Sequence, residues 1–380
     1  MKIAAIKDIN EYVGSSINPL STPDTVYELY SVPSYENSYP EIIKGSDIGS
    51  SKVTVEENDI LICKINPRIN RVWVVKHNTE NPLIASSEWV IVRSKSNDSD
   101  YLKYYFQSPV FRNYINSELT GIGGSLTRAQ PKSIAKYPVP LPPLETQHQI
   151  AANLDKVTHT IDLCNAILEK LDLLVKSRFV EMFGDPVSDS KQWGQKPLSD
   201  MLESIRYGTS TPPEFSSNGY AFIRATNIKN GKIIDKDMKY ISQKEAEKLE
   251  KCKLSGGEII IVRSGVNAGD TCVITEKYRN QYAGYDMILV LNDKLNPIFL
   301  NELINTAYME KIVKPLTRRA AQPHLNSEQT KSFPIICVPI ELQNNFAAFV
   351  EQTDKSKSAV KKLLEKAETL KKALMQEYFG

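Results

Sequence analysis

The stretch "PLETQ" (143–147) stands at the start of a long helical pattern, and a second version of it, "PIELQ" (339–343), stands at the start of another. The two glutamates are separated by 341 − 145 = 196 positions. The same offset aligns four further pairs: Pro138 with Pro334, Gln147 with Gln343, Phe183 with Phe379, and Gly184 with Gly380. The segment 138–184 therefore repeats without a gap at 334–380.

The repeat continues upstream of "PLETQ", with small changes of offset. Three pairs of stretches carry it: "NDILICK" (58–64) with "GEIIIVR" (257–263) at 199, "SEWVIVR" (87–93) with "YDMILVL" (285–291) at 198, and "DYLKYYF" (100–106) with "IFLNELI" (298–304) at 198. Such drift is typical of insertions and deletions in surface loops. The duplication predicts a domain at 1–140, a helix at 141–192, a second domain at 193–335 and a second helix at 336–380.

Both helical segments carry an apolar stripe. Prolines disfavour helix before each segment, and Glu145 and Glu341 fall in the first turn, where negative charge suits the helix dipole. Apolar residues then recur at the spacing of a coiled-coil seam: Ile150, Leu154, Val157, Ile161, Cys164, Leu168, Leu171 and Val175 in the first segment, and Phe346, Val350, Val360, Leu364, Ala367 and Leu374 in the second. Thr353 and Lys357 interrupt the second stripe and predict a weaker middle.

A stripe of this kind has two interpretations. Each helix could pack on its own domain, or the two helices could pack against each other. The duplication and the length of both segments favour antiparallel packing of the two helices. About 38 residues at about 1.5 Å each predict a rod of about 57 Å.

The globular halves mix helix and strand patterns. Apolar runs bounded by turn residues predict strands: "DILICKI" (59–65), "EWVIVR" (88–93), "EIIIVR" (258–263) and "MILVL" (287–291). Segments 101–117, 243–253 and 298–315 predict helices. The expected fold class is α+β, with two duplicated mixed α/β domains separated by two long antiparallel, coiled-coil-like helices.

Composition excludes several classes of protein. The 380 residues carry a net charge of +2, which neither marks nor excludes a nucleic-acid binder. No run of about 18 apolar residues predicts a membrane span, and "MKIAAIKDIN" (1–10) is too short and too charged for a signal peptide. The five cysteines lie far apart, which favours a reduced, cytoplasmic environment over a disulfide framework.

The signatures of common catalytic sites are missing from the sequence. There is no Gly-x-x-x-x-Gly-Lys-Ser/Thr phosphate loop, no Asn/Asp-Pro-Pro-Tyr/Phe methyltransferase signature, and no nucleophile elbow. The four histidines lack metal-ligand spacing. The sequence therefore predicts a binding protein with no catalytic residue, no metal and no cofactor of its own.

Three stretches, 60–79, 119–144 and 311–327, contain basic residues and no acidic ones. Such stretches are often solvated surface, but equivalent ones in both halves favour a DNA-binding face, because Lys and Arg contact phosphates and polar side chains read base edges. The candidate DNA-binding residues are Lys64, Arg68, Arg71, Arg128 and Lys132 in the first half, and Arg206, Tyr207, Thr209, Arg224, Arg263, Arg318, Arg319 and Gln322 in the second.

The stretch "YPVPLPPLETQHQIAANLD" (137–155) closely resembles the Pro-Leu-Pro-Pro-Leu-Glu-x-Gln signature of type I restriction–modification specificity subunits. The resemblance covers essentially the whole chain, although "CVPIELQNN" (337–345) lacks the double proline. It implies two target-recognition domains that each read half of a bipartite DNA sequence. It also implies that the helices set the spacer and dock modification (methyltransferase) subunits, expected to number two. Those partners would bind S-adenosylmethionine, and a restriction/translocase subunit would complete the complex.

Two alternatives come from other classes. The chain could be a self-contained DNA methyltransferase or nuclease, and S-adenosylmethionine binding by the purified chain would reveal a methyltransferase. It could also be a protein-binding adaptor without DNA contact. Gel shifts of the assembled complex, and exchange of one half for another, distinguish an adaptor from a DNA reader.

Overall fold

The computed structural model describes residues 2–117, 127–318 and 322–380, and the backbone of residues 119–120. The chain forms two compact units. The first unit comprises Met1–Asn165 and Lys362–Gly380, and the second unit comprises Ala166–Lys361. Two helices of 40 residues, the first long helix Leu144–Phe183 and the second long helix Ile340–Phe379, each contribute one segment to each unit.

The first unit is built on two sheets. A five-stranded sheet has the order Ser16–Ile17, Lys52–Thr54, Leu83–Ser86, Val26–Tyr30, Glu41–Lys44, and a three-stranded sheet has the order Val72–Val74, Ile60–Cys63, Trp89–Val92. Two strand pairs join Lys2–Ala5 to Pro138–Leu141 and Leu119–Thr120 to Arg128–Ala129. The helices are Ile6–Ile9, Ser99–Gln107, Pro109–Ser117 and Pro131–Lys136, and the 3₁₀ turns are Pro19–Ser21, Pro33–Asn37, Gly45–Asp47 and Pro67–Ile69.

The second unit repeats this plan with different lengths. One four-stranded sheet has the order Leu202–Tyr207, Met287–Leu291, Ile259–Ile261, Thr271–Val273, and the other has the order Phe215–Ser216, Lys239–Ile241, Tyr220–Ile223, Tyr282–Ala283. Two strand pairs join Gln195–Pro197 to Pro334–Ile336 and Ile228–Lys229 to Lys232–Ile233. The helices are Gln243–Lys248, Pro297–Leu303, the π-helical Ile304–Val313, Lys314–Thr317 and Ser327–Lys331, and the 3₁₀ turns are Leu198–Met201, Ala225–Asn227, Glu250–Cys252 and Glu276–Tyr278.

The glutamine of "PLETQ" fixes the start of the first long helix to its domain. Gln147 is buried, accepts the Asp98 N–H at 3.0 Å and donates to the Asn97 Oδ1 at 3.0 Å and the Pro142 carbonyl at 2.9 Å. A buried amide of this kind must be fully hydrogen-bonded to be tolerated.

Gln343 fixes the second long helix in the same way. Its side chain accepts the Asn296 N–H at 2.8 Å and donates to the carbonyls of Lys294, at 3.1 Å, and Val338, at 2.8 Å. Asp98 and Asn296 differ by 198, the offset of the nearby repeat, so the duplication has kept this tether.

Antiparallel helix packing is present within each unit. In the first unit Asn153 donates to the Tyr378 hydroxyl at 3.2 Å. In the second unit the Phe179 and Phe346 rings lie 5.5 Å apart, and the Lys357 ammonium lies 2.7 Å from Asp172. The partner's number falls from 179 to 172 as the number on the second helix rises from 346 to 357, which is the antiparallel register.

The predicted seam residues lie on the inner side of the helices to different degrees. Leu154, Cys164, Val175, Phe346, Val350 and Ala367 are buried, whereas Ile150, Val157, Ile161, Leu168, Leu171, Val360, Leu364 and Leu374 are half-buried. Thr353 and Lys357, which interrupt the apolar stripe, are buried as well. The Thr353 hydroxyl donates to the Phe349 carbonyl at 2.9 Å, so the middle of the seam is polar and remains packed.

Candidate nucleic-acid interface

A cavity of about 470 Å³ opens in the second unit where two parallel strands end. Tyr220–Ile223 and Tyr282–Ala283 run parallel, so the residues that follow them meet at one edge of their sheet. The lining combines aromatic and polar side chains, among them Phe215, Tyr285, Arg224 and Asp286. This mixture of flat apolar surface and a few polar groups is typical of a binding site. We call it the second cavity.

Asp286 is the most unusual side chain in the second cavity. It is only 2% exposed. One carboxylate oxygen accepts the Arg263 backbone N–H at 3.2 Å, and the other, Oδ2, is buried without a hydrogen-bond partner. Burial raises the pKa of Asp286 from 3.8 to about 6, and the Arg263 N–H and guanidinium offset part of that rise.

Arg263 lies beside Asp286 and contacts two tyrosines. Its guanidinium carbon is 4.6 Å from the centre of the Tyr207 ring and 4.2 Å from that of Tyr285. These two cation–π contacts restrict the orientation of the guanidinium. Gly208 donates to the Asp286 carbonyl at 2.9 Å and so holds Tyr207 close to this cluster. The Nε atoms of Arg263 and Arg224 are both buried and have no hydrogen-bond partner among the described residues.

The first unit has a cavity of about 370 Å³ at the equivalent place. Its strands Val26–Tyr30 and Leu83–Ser86 are also parallel, and the residues that follow them line the cavity. Glu88 corresponds to Asp286 at the offset 286 − 88 = 198, and one of its carboxylate oxygens, Oε2, is again buried without a partner. We call this the first cavity.

The backbone beside both cavities is held by the same hydrogen bonds. Ala129 donates to the Lys64 carbonyl at 2.9 Å in the first unit, and Leu325 donates to the Arg263 carbonyl at 2.8 Å in the second. Isolated bridges join Ile65 to Arg128 and Ser264 to His324 at the same positions. Lys64 is therefore the structural counterpart of Arg263, and Arg128 that of His324.

Several candidate DNA-binding residues lie close to these cavities. The Lys64 ammonium donates to the Ser87 carbonyl, and Arg128 contacts Glu88 at 3.2 Å with its side chain 57% exposed. Tyr207 accepts the Ser327 N–H at 3.1 Å, and the Thr209 hydroxyl donates to the Thr211 carbonyl at 2.8 Å. Four more are exposed: Arg68, Lys132, Arg318 and Gln322.

Three of the predicted arginines have structural partners instead. Arg206 donates to the carbonyls of Lys251 and Lys253 and forms an ion pair of 2.6 Å with the buried Glu258. Arg71 pairs with Glu36 at 2.9 Å. Arg224 donates to the Asp237 carbonyl at 2.7 Å but still lines the second cavity.

Arg206 and Arg71 each pair with a carboxylate in the fold, and their contact with DNA stays a prediction. Arg319 lies outside the described residues.

The carboxylates of Glu88 and Asp286 lie outside the acid-free stretches, so those stretches do not point to them. The pairing of "SEWVIVR" with "YDMILVL" nevertheless aligns the two residues. Acidic residues at aligned positions beside aligned strands are the feature of the sequence that could have identified Glu88 and Asp286. Tyr285, whose ring contacts the Arg263 guanidinium, belongs to the same pairing and aligns with Ser87.

The described parts of the chain show no metal-binding or membrane-spanning feature. No group of three or more His, Cys, Asp or Glu side chains is placed to hold a metal ion in the ranges that the structure covers. Among those residues, no helix is both long and apolar enough to cross a bilayer.

Two repeated α+β domains, each with a cavity at the ends of parallel strands and each followed by a long helix, define the class of this protein as a duplicated two-domain binding protein. The family model of the type I restriction modification DNA specificity domain matches residues 2–173 and 190–369. The chain belongs to this family. Membership confirms the resemblance, the fold class and the role as a specificity subunit rather than as the enzyme itself.

Similar proteins agree with this assignment. The MjaVIII specificity subunit of Methanocaldococcus jannaschii is 22% identical over 347 residues, which cover 86% of this chain and 80% of that protein. The EcoKI specificity subunit of Escherichia coli K12 is 22% identical over 273 residues, 67% of this chain and 58% of that protein. The S subunit structure from M. genitalium has a TM-score of 0.63 at 12% identity, covering 100% of this chain and 96% of that chain.

Proposed function

We propose that each unit reads one half of a bipartite DNA target through the surface around its cavity. The observation that carries this proposal is the equivalence of the two cavities. Both lie at the ends of parallel strands, and both have a basic residue at the matching strand end, Lys64 or Arg263. Both are also lined by a carboxylate with one buried, unpartnered oxygen. A duplicated recognition frame with different side chains suits a target made of two different half-sites.

The charged side chains around the cavities divide into two expected roles. Exposed Lys132 and Arg318 are suited to phosphate contacts, which position the protein without reading sequence. Arg263, whose guanidinium contacts two tyrosine rings, is suited to the bidentate contact that arginine makes with guanine in the major groove.

The long helices carry a repeated feature that supports docking of two copies of one partner. Ile167 and Leu174 on the first long helix are 43% and 47% exposed, and Leu363 and Leu370 on the second are 50% and 49% exposed. Ile167 aligns with Leu363, and Leu174 aligns with Leu370, both at the offset of 196. Exposed apolar side chains at duplicated positions fit two modification subunits, one for each helix.

Docking is tested by the mass of the complex formed with the modification subunit of the same host. Changing Ile167 and Leu174 to Glu is expected to remove one modification subunit, and changing Leu363 and Leu370 as well is expected to remove both. Leu173→Glu is the matched control, because Leu173 is 61% exposed but aligns with the polar Thr369. Unchanged complex mass in the fourfold variant excludes this docking surface.

The helices are also proposed to set the unread spacer between the half-sites. An insertion of about four residues after Leu168 adds roughly one helical turn. We expect the methylated motif to gain a longer spacer, as read by methylome sequencing. An unchanged spacer means that the first long helix does not set this distance.

The chemistry is assigned to partner subunits. We expect S-adenosylmethionine to bind the modification subunit, and a restriction/translocase subunit to complete the complex. Isothermal titration of the purified chain with S-adenosylmethionine should give no binding, and saturable binding would favour the alternative of a self-contained methyltransferase.

Exchange of one half tests the reading of DNA most simply. Residues 193–335 are replaced by the corresponding domain of a related specificity subunit that methylates a different motif. We expect the second half of the methylated motif to follow the exchanged domain, while the first half stays unchanged. An unchanged motif would favour the adaptor without DNA contact.

A further inference from the structure

One oxygen of each carboxylate at the cavities is buried without a hydrogen-bond partner among the described residues. Asp286 Oδ2 and Glu88 Oε2 are both buried, and neither accepts a hydrogen bond from any residue that the structure describes. A buried polar atom without a partner is costly, so its retention calls for an explanation. That the feature occurs at two positions related by the duplication argues against an accident of packing.

We propose that Asp286 is a specificity-determining residue that accepts a hydrogen bond from the exocyclic amino group of an adenine or cytosine. The inference rests on the proposed function and names the base-reading atom in the second unit. Carboxylates accept from base amino groups, whereas guanine O6 and thymine O4 in the major groove are acceptors that a carboxylate repels. A phosphate is excluded for the same reason of charge.

The surroundings of Asp286 suit a nucleobase edge. Tyr285 and Phe215 supply flat apolar surface in the same cavity, and Arg224 supplies a donor with an unpartnered Nε. An acceptor and a donor that line one cavity complement a base edge that presents an amino group and a ring nitrogen. The cavity of about 470 Å³ also falls within the size range of small-ligand pockets.

Glu88 is the counterpart in the first unit, with one difference. Arg128 contacts its Oε1 at 3.2 Å, so only Oε2 remains to accept a hydrogen bond. The same acceptor is therefore presented beside a positive charge, and the two units present different patterns to their half-sites.

The test uses the complex assembled with the modification subunit and duplexes of the wild-type motif. Single adenines of the second half-site are replaced by purine, and single cytosines by 2-pyrimidinone, each of which lacks only the amino group. The affinity of the wild-type complex for DNA should fall on the order of ten- to a hundredfold when the base at one particular position is replaced by its analogue. Asp286→Asn replaces the free acceptor by a donor and keeps the side-chain size, so the variant should show no such fall at that position.

Methylome sequencing provides the second readout. Asp286→Asn should change or relax that one position of the second half-site and leave the first half-site intact. Glu276→Gln is the control, because Glu276 is 76% exposed and pairs with the exposed Arg279. Thermal melting of each variant confirms that it is folded.

Two outcomes would overturn the inference: the same analogue profile in wild type and Asp286→Asn, or an unchanged motif methylated to the same extent. If the exchange of 193–335 alters the motif while Asp286→Asn does not, only this inference fails. If the exchange itself leaves the motif unchanged, the proposed function fails first.

Discussion

The two cavities share a backbone frame but differ in how they treat their carboxylate. In the second unit Asp286 is 2% exposed and its oxygen Oδ1 accepts a backbone N–H. In the first unit Glu88 has a side-chain exposure of 26% and an arginine partner, Arg128. The duplication has therefore kept the backbone frame and the glutamine tethers of the long helices, while the side chains at the cavities have diverged. Divergence at these positions is how two copies of one fold can read two different half-sites.

The buried glutamines Gln147 and Gln343 test the shared backbone frame. Their substitution should have the largest effect of the changes considered. Gln147→Ala and Gln343→Ala each leave three hydrogen-bonding groups, most of them partly buried, without their glutamine partner, so each should lower the free energy of unfolding of its own unit by about 3 kcal/mol. Hydrogen-exchange mass spectrometry measures the loss of protection at each helix start. The exposed Gln352→Ala is the control. Strongly unequal losses would show that the two tethers are not equivalent.

The stacked arginine should give the next largest effect. Arg263→Ala removes two cation–π contacts and a base-reading group, and we expect DNA binding to weaken by about 2–3 kcal/mol. Arg263→Lys keeps the charge but not the planar group and should recover little of this loss. Equilibrium binding of the assembled complex measures both variants, with Arg279→Ala as a control on an exposed arginine. Full recovery by lysine would mean that charge alone matters.

The buried Asp286 carboxylate should make the stability of the second unit depend on pH. The pKa of Asp286 is raised from 3.8 to about 6, so its unfavourable contribution is absent below about pH 4, grows between pH 4 and 6, and is complete above pH 6. Asp286→Asn removes it and should stabilise the second unit on the order of 2–3 kcal/mol at pH 8, and little at pH 4. Thermal melting at the two pH values measures this. A less stable variant at pH 8 would indicate a structural role for Asp286.

The smallest effect is expected at the exposed residues. Lys132→Ala should weaken binding to all sequences by less than about 1 kcal/mol and reduce the slope of log affinity against log salt by about one. A salt titration of cognate and unrelated duplexes measures both quantities. A loss confined to the cognate duplex would move Lys132 from phosphate contact to base reading.

Much of the fold could be predicted from the sequence because the duplication repeats strong local signals. The runs "DILICKI" and "MILVL" became the buried strands Ile60–Cys63 and Met287–Leu291, and both long helices begin within "PLETQ" and "PIELQ". The five-stranded sheet of the first unit was not predicted. Its strands at Ser16–Ile17 and Lys52–Thr54 are too short to show a periodic pattern, and distant pairing determines them.

The site was harder to predict than the fold. Arg206 looked free in the sequence, and only the fold places Glu258 and two carbonyls around it. Lys357 looked like a break in an apolar stripe, yet its ammonium pairs with Asp172 and its stem fills the seam. Partners that lie 52 and 185 positions away along the chain, 258 − 206 and 357 − 172, leave no local signal.

The most direct measurement is a structure of the chain bound, with its modification subunits, to the DNA that it directs for methylation. The account predicts one half-site at each cavity, with Asp286 Oδ2 about 2.7–3.2 Å from a base amino nitrogen in one half-site. It also predicts Glu88 Oε2 facing a base of the other half-site. DNA bound away from both cavities, or both half-sites contacted by a single unit, would contradict it.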